Sequence, residues 1–331
     1  MTSHLLSEDS QVVLLLCGRF GREIPGSPEP LNPSEFNRLT TWLSERDLQL
    51  TDLISGTSSK LFQTTSDANM KVDRIETLLK RGASLAMALE TWTNNGLWVM
   101  TSKDESYPQQ LVEKLGVGSP PVLYGAGDRD QLSRGGLAMV GSRDVDESGL
   151  YFANRVAVRC AKQGIQVVSG GARGVDQEAM TSALDEGGDV IGVLAHGLMQ
   201  SVRSRRYREA IVEGKLVLVS AYDPYAGFNV GNAMARNKQI YALSEWALAV
   251  SASLEKGGTW NGAIENLKNK WAPLFVWMAE AAPQANCELV SKGAVPLREE
   301  DIILVEVSLS DWFNSHSSGG DQESVEQLSL L

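Results

Sequence analysis

Residues 137–176 read LAMVGSRDVDESGLYFANRVAVRCAKQGIQVVSGGARGVD. The apolar run LAMV ends in a glycine turn, Val140-Gly141-Ser142-Arg143, and the helix-length stretch YFANRVAVRCAKQG follows. A second apolar run, IQVV, ends in Ser169-Gly170-Gly171-Ala172-Arg173-Gly174-Val175-Asp176 and leads into VDQEAMTSALDEGG. Strands that are apolar on both faces and alternate with helices belong to a parallel sheet, because each crossover lays a helix over one face. The expected fold is therefore α/β, a doubly wound Rossmann-like parallel sheet.

The same alternation runs outward from this stretch. LWVMT, PVLYGAG, VIGVLAH, LVLVSAY, ALAVSAS and PLFVWM read as further strands, and SRRYREAIVEG, NAMARNKQIYALSE and TWNGAIENLKNK as helices between them. Residues 101–297 are thus expected to form the Rossmann-like domain. Residues 1–100 read as a small helical N-terminal domain. In NPSEFNRLTTWLSER, Asn32 is placed to cap a helix with Pro33 at its first position and Glu35 at its third. VDRIETLLKR, closed by Gly82, and SLAMALETWTNNG, closed by Gly96, add two more helices. Residues 298–331 read as a short extension in which DIILVEVSLSDWF adds a strand and turn, ending in an acidic flexible tail from about residue 314.

The chain of 331 residues is 43% hydrophobic and 21% charged, an ordinary globular composition that excludes disordered and fibrous classes. Its net charge of −11, taken alone, argues against a polyanion partner. The charge is unevenly placed, however: beyond Ala279 ten acidic residues stand against two basic ones. Between residues 200 and 240, Arg203, Arg205, Arg206, Arg208, Lys215, Arg236 and Lys238 outweigh Glu209, Glu213 and Asp223. Three scattered cysteines, Cys17, Cys160 and Cys287, form neither a disulfide framework nor a zinc pattern. No apolar stretch reaches the length of about 18 residues that a membrane span needs, and the N-terminus is a poor signal peptide. The protein is expected in the cytoplasm, with no membrane partner, metal or cofactor.

Three glycine turns fall where an expected strand gives way to a helix, and in a doubly wound sheet such turns share the ligand-binding edge. They are Gly141-Ser142-Arg143, Ser169-Gly170-Gly171 with Arg173, and Lys256-Gly257-Gly258-Thr259-Trp260. Glycines permit close approach, helix-start amides hold anions, and arginines clamp phosphate, so the edge is expected to bind phosphate. Arg236, Asn237 and Lys238 read as the charged opening of an otherwise apolar helix. Asp176 reads as a cap or a partner for an arginine, and Trp260 as core or as a base-stacking ring. The Arg203–Arg208 run reads either as a solvated helix face or as part of the basic site. Catalytic signals are sparse: His196 ends a strand, Glu265 is one helical stretch past the third turn, and no nucleophile, metal-ligand or Walker spacing is present.

The runs GLWVMTSKDESYPQQLVEKLGVGSPPVLYGAGD, MVGSRDVDESG, VVSGGARGVDQEAM, ALDEGGDVIGVLAHGL, MARNKQIYALSEWALAV, GGTWNGAIENL and SKGAVPL, in this order, resemble the DNA-processing protein A (DprA, Smf) family. The resemblance implies a Rossmann-like domain that binds single-stranded DNA without turnover, as a homodimer, and hands strands to a RecA-type recombinase in DNA uptake, recombination or defence against foreign DNA. By this resemblance Arg143 matches the family's GSR arginine, Arg173 its basic position in the SGxA(K/R)GxD turn, and Arg236, Asn237 and Lys238 its RN(R/K) helix start. The third turn, GGTWNGA, and the segment GLMQSVRSRRYRE depart from the commoner family pattern, and an acidic segment stands where a winged helix often follows. The competing resemblance is to LOG-type nucleotide phosphoribohydrolases or to a nucleotide-binding sensor. The hydrolase signature places its catalytic glutamate where this chain has Gly262.

Overall fold

A computed structural model describes residues 6–21, 26–55, 71–303 and 308–317. In chain order the helices and strands begin with α1 (Glu8–Cys17), α2 (Pro33–Ser44), α3 (Val72–Leu79), α4 (Gly82–Asn94), β1 (Trp98–Thr101), α5 (Gln109–Leu115) and β2 (Val122–Ala126). Next come β3 (Leu137–Gly141), α6 (Glu147–Lys162), β4 (Val167–Ser169), α7 (Val175–Asp185), β5 (Val190–Val193), α8 (Leu198–Ser201) and α9 (Arg205–Val212). Then follow β6 (Leu216–Ser220), α10 (Val230–Ala242), β7 (Trp246–Ser251), α11 (Gly257–Asn269) and β8 (Leu274–Trp277). The last are α12 (Gln284–Ser291), β9 (Val295–Leu297), α13 (Glu299–Ile303) and α14 (Leu309–Ser317). Among the described residues no helix is long and apolar enough to cross a membrane.

The chain divides into two compact units, one of Met1–Ser133, Leu194–Val212 and Val217–Asn232, the other of Arg134–Val193, Glu213–Leu216 and Ala233–Leu331. These borders differ from those expected at residues 100 and 297, because contacts gather non-consecutive segments. In the first unit α1 is buried along Val12–Leu16, so its whole circumference is core. Around it lie Leu39 and Leu43 of α2, Leu78 of α3 and Trp92 of α4, all nearly inaccessible. The expected start of α2 is present in full: Asn32 Oδ1 accepts the Glu35 amide and Glu35 Oε2 accepts the Asn32 amide, both at 2.9 Å. Gly82 does not close α3 as expected but begins α4.

The strands β1 and β2 correct the expectation of a wholly parallel sheet. They pair antiparallel with each other, and β2 pairs antiparallel with β6. An apolar run reports burial on both faces but carries no direction, which the connection imposes.

The second unit holds the parallel sheet. Its strands lie in the order β5-β4-β3-β7-β8-β9, every neighbouring pair parallel. From β3 the chain winds one way through β4 to β5, then crosses to β7 and continues to β9, so the order reverses between β3 and β7. The carboxyl ends at that reversal are where open α/β sheets bind ligands. The expected doubly wound Rossmann-like architecture is therefore present. The expected final strand in DIILVEVSLSDWF is absent from its described residues, where α13 and α14 stand instead. Trp312 and Phe313 of α14 are buried, with Phe313 stacked on Trp246 at 5.4 Å and against Phe275 at 4.8 Å. Residues 318–331, the rest of the expected tail, lie outside the described residues.

Candidate functional site

All the residues expected to form the site belong to the second unit. Because β3, β4 and β7 run parallel and adjacent, their following turns come to one edge of the sheet. The first turn leaves β3 at a bulge between Val140 and Gly141, and the Ser142 amide donates to the Ser251 carbonyl of β7 at 2.8 Å. Gly141 faces the start of α7 so closely that a Cβ there would lie 2.3 Å from Val175 Cγ2. Its glycine serves packing, since only a backbone without a side chain fits beneath that helix. Arg143 and Arg173 are both exposed, and Arg173 Nη2 reaches Asp144 Oδ1 at 2.5 Å. That pair is open to solvent on both sides, so exchanging Asp144 for a phosphate costs little.

Beneath the turns lie a buried carboxylate and a buried guanidinium, Asp176 and Arg236. The Asp176 carboxylate accepts hydrogen bonds from the amides of Ala172, Gly141 and Gly170. Burial pushes its pKa above the usual carboxylate range, while Arg236 and these amides draw it back down. Arg236 is buried, and its Nη1 donates to the Val193 carbonyl, where β5 ends, at 2.5 Å. Its guanidinium covers Gly170 so closely that a Cβ there would meet Nη1 at 1.7 Å. One carboxylate and one guanidinium thus tie together the ends of β3, β4 and β5.

Several expected ligand groups are spent inside the protein. The Ser169 hydroxyl is buried and donates to the Met139 carbonyl at 2.6 Å. The amides of Gly141 and Gly170 face Asp176. Arg236-Asn237-Lys238 does not open its helix as expected: α10 begins at Val230, and Asn229 Oδ1 caps it by accepting the Asn232 amide at 2.9 Å. Arg236 therefore points inward, Asn237 Nδ2 donates to the Gly258 carbonyl at 3.0 Å, and Lys238 is half-buried. Nor does the helix after the first turn offer free amides, since Asp146 Oδ1 accepts the Gly149 amide and caps α6 at 2.8 Å.

One helix start remains open: α11, preceded by Lys256, begins without a side-chain cap, with Gly257, Gly258 and Thr259 in its opening turn and Gly257 exposed. The start of α7 also lacks a side-chain cap, but its Val175 amide donates to the Ser142 carbonyl at 3.4 Å and its Gln177 amide to the Ala172 carbonyl at 2.9 Å, with Gly171 half-buried ahead of it. Trp260 is buried, which is the core role. His196, in the first unit, sits 3.2 Å from Ser201 Oγ through Nε2. Asn286 carries no sequence motif. It is buried on α12, donates through Nδ2 to the carbonyls of Val250 at 2.9 Å and Trp277 at 2.8 Å, and accepts the Ala252 amide at 3.2 Å. It braces the ends of β7 and β8 behind the third turn, and no local motif announces it.

What the edge offers is a rim of exposed arginines and one open helix start over a buried floor whose polar groups are largely tied to one another. The model of the family described as DNA recombination-mediator protein A matches residues 98–308. The chain belongs to that family. DNA recombination-mediator protein A and its relatives are proteins of DNA processing. Protein Smf of Synechocystis is 32% identical over 177 residues, which cover 52% of this chain and 44% of the relative. Protein Smf of Escherichia coli is 29% identical over 210 residues, covering 62% and 55%. The chain thus spans about half the length of these curated relatives. Among solved structures, DNA processing protein A from Streptococcus pneumoniae superposes with a TM-score of 0.67 at 18% identity, covering 91% of this chain and 98% of that one. The protein of the same name from Helicobacter pylori, whose structure concerns its single-stranded DNA binding mode, gives a TM-score of 0.51 at 22% identity, covering 66% and 95%. These two share the fold.

Proposed function

We propose that this protein binds single-stranded DNA through its phosphates, without catalytic turnover, at the edge where the strand order of the second unit reverses. The observation that carries the reading is the pairing, at that edge, of exposed Arg143 and Arg173 with the start of α11, which no side chain caps. Cations and helix-start amides hold phosphate oxygens and ignore base identity, which suits a general strand binder. Ser142, Arg143, Gly171, Arg173, Lys238, Gly257, Gly258 and Thr259 face the ligand in this proposal, while Gly141, Ser169, Gly170, Arg236 and Asn237 shape the floor. The family supports extending the proposal to a homodimer in the cytoplasm that serves a RecA-type recombinase in DNA uptake, recombination or defence.

The hydrolase alternative is disfavoured by Gly262. A Cβ at that position would lie 3.3 Å from the ring of Tyr241 and 3.4 Å from Asn237, which leaves little room for an acid. Glu265 is exposed further along α11. Free base released from nucleoside monophosphates, and lost in Glu265→Gln, would restore the enzyme reading.

The test is the affinity for single and double strands as salt rises from roughly 50 to 200 mM, the range over which phosphate contacts respond strongly. Arg143→Ala is expected to weaken single-strand binding at every sequence tried and to lower the slope of log affinity against log salt by about one. An unchanged slope removes Arg143 from the site.

A further inference from the structure

Tyr225 and Phe228 are large rings left half in solvent, 51% and 53% exposed, the first within a firmly held turn and the second two residues past its end. Buried Asp223 accepts the Tyr225 amide through Oδ1 at 2.7 Å and the Gly21 amide through Oδ2 at 3.2 Å. Its carbonyl accepts the Ala226 amide at 2.8 Å and closes the turn. The other side of the turn is tied to the loop after β5. Gly197 donates to the Ala226 carbonyl at 2.8 Å, and Met199 to the Pro224 carbonyl at 3.0 Å. A Cβ on Gly197 would stand 2.2 Å from the Pro224 carbonyl oxygen, so the two segments touch backbone to backbone. The anchored turn presents the Tyr225 ring to water, the Phe228 ring follows three residues on, and exposed aromatic surface of this kind marks a binding site.

The loop that grips this turn runs directly, through α8, into Arg203, Arg205, Arg206 and Arg208, all exposed. Arg205 is paired with Glu209 at 2.8 Å in the manner of a surface helix pair. Both features lie in the first unit. Arginines and solvent-exposed aromatic rings carried by two segments that hydrogen-bond to each other are the combination a single strand requires, with cations for its phosphates and π faces for its unpaired bases. A duplex keeps its bases stacked on one another and offers them no such partner. An apolar protein surface would have no use for the arginines.

We propose that Tyr225 and Phe228 form a base-stacking platform for single-stranded DNA, with the arginines of 203–208 along the strand's backbone. This rests on the single-strand reading above and adds to it a second contact region, made of different residues from the glycine turns.

The experiment compares the full chain's affinity for an oligothymidine and for an abasic strand of equal length and charge. The wild-type chain is expected to prefer the oligothymidine by roughly fivefold or more for each ring engaged. Tyr225→Ala with Phe228→Ala should abolish the preference and leave the salt slope unchanged, since the rings carry no charge. Tyr225→Phe with Phe228→Tyr keeps both rings and should keep the preference, which separates stacking from a folding defect. Equal wild-type affinity for the two strands, or a preference that survives the double alanine change, overturns the platform while salt-dependent binding sustains the phosphate site. Absence of salt-dependent binding to either strand overturns the underlying reading. If the double alanine change turns a dimer into a monomer whose base preference is intact, the rings belong to a contact between copies and the platform is refuted.

Discussion

Asp176 and Arg236 show how much of the site depends on residues that never need to touch a ligand. In the sequence Arg236 reads as a cation at a helix entrance, and a cation there would contact phosphate. The helix actually starts six residues earlier, at Val230, and that offset turns Arg236 inward onto Asp176, Val193 and Gly170. Burying a carboxylate is tolerable only with compensating charge and hydrogen bonds, and leaving a buried hydrogen-bonding group without its partner costs about 1 to 3 kcal/mol. Arg236→Ala is therefore expected to lower stability by about that amount at neutral pH, measured by denaturant unfolding. The pH dependence has a definite sign. Burial already raises the Asp176 pKa in the folded state, and loss of Arg236 raises it further. A carboxyl with a raised folded pKa favours folding below its unfolded pKa and loses that contribution as pH rises through the folded value. The deficit of Arg236→Ala should thus shrink on acidification; a deficit that grows in acid would show that Asp176 is not the group left uncompensated.

At the scale of elements, local chemistry was legible wherever it was self-contained. The start of α2 needs only residues 32–35, and its reciprocal bonds are those expected from the spacing. What the spacing does not reveal is that Arg74 of α3 reaches the same Glu35, at 2.7 Å to Oε1 and 3.1 Å to Oε2, and also holds the carbonyls of Glu29 and Pro30. The Arg74 hydrogen bond holds the Glu35 carboxyl below its usual range. A depressed carboxyl stabilises the fold above its unfolded pKa and ceases to do so as pH falls through its folded one. Glu35→Gln is expected to cost about 0.5 to 1 kcal/mol at neutral pH, and its melting temperature should converge with that of the wild type in acid. A gap that persists undiminished at low pH would assign the effect to capping alone. The strand directions of β1 and β2 and the short β9 were not legible. Apolar content reports burial, whereas direction and edge position are set by the partner strand.

For the whole chain, the charge of −11 is a misleading average, because ten acidic and two basic residues beyond Ala279 account for most of it. The structure also moves the point at which the acidic end can be cut. Asn314 Oδ1 accepts the Trp246 indole at 3.2 Å and His316 stacks on Trp312 at 4.1 Å, so α14 belongs to the second unit through Ser317. Removing residues 318–331 takes away Asp321, Glu323 and Glu326 while sparing that helix. The shortened chain is expected to bind single strands more tightly, with the gain largest at low salt where charges are least screened; equal affinity at all salts would show that these acids do not compete with DNA. The amino-acid sequence by itself determined the alternation of buried strands and helices, the edge where the glycine turns meet, and family membership, because each is written in contiguous runs. Only the tertiary structure decided which of those residues face outward. Gly141, Ser169, Gly170 and Arg236 are consumed by partners distant in the chain, and the inward or outward sense of a side chain depends on where its helix starts and what packs against it.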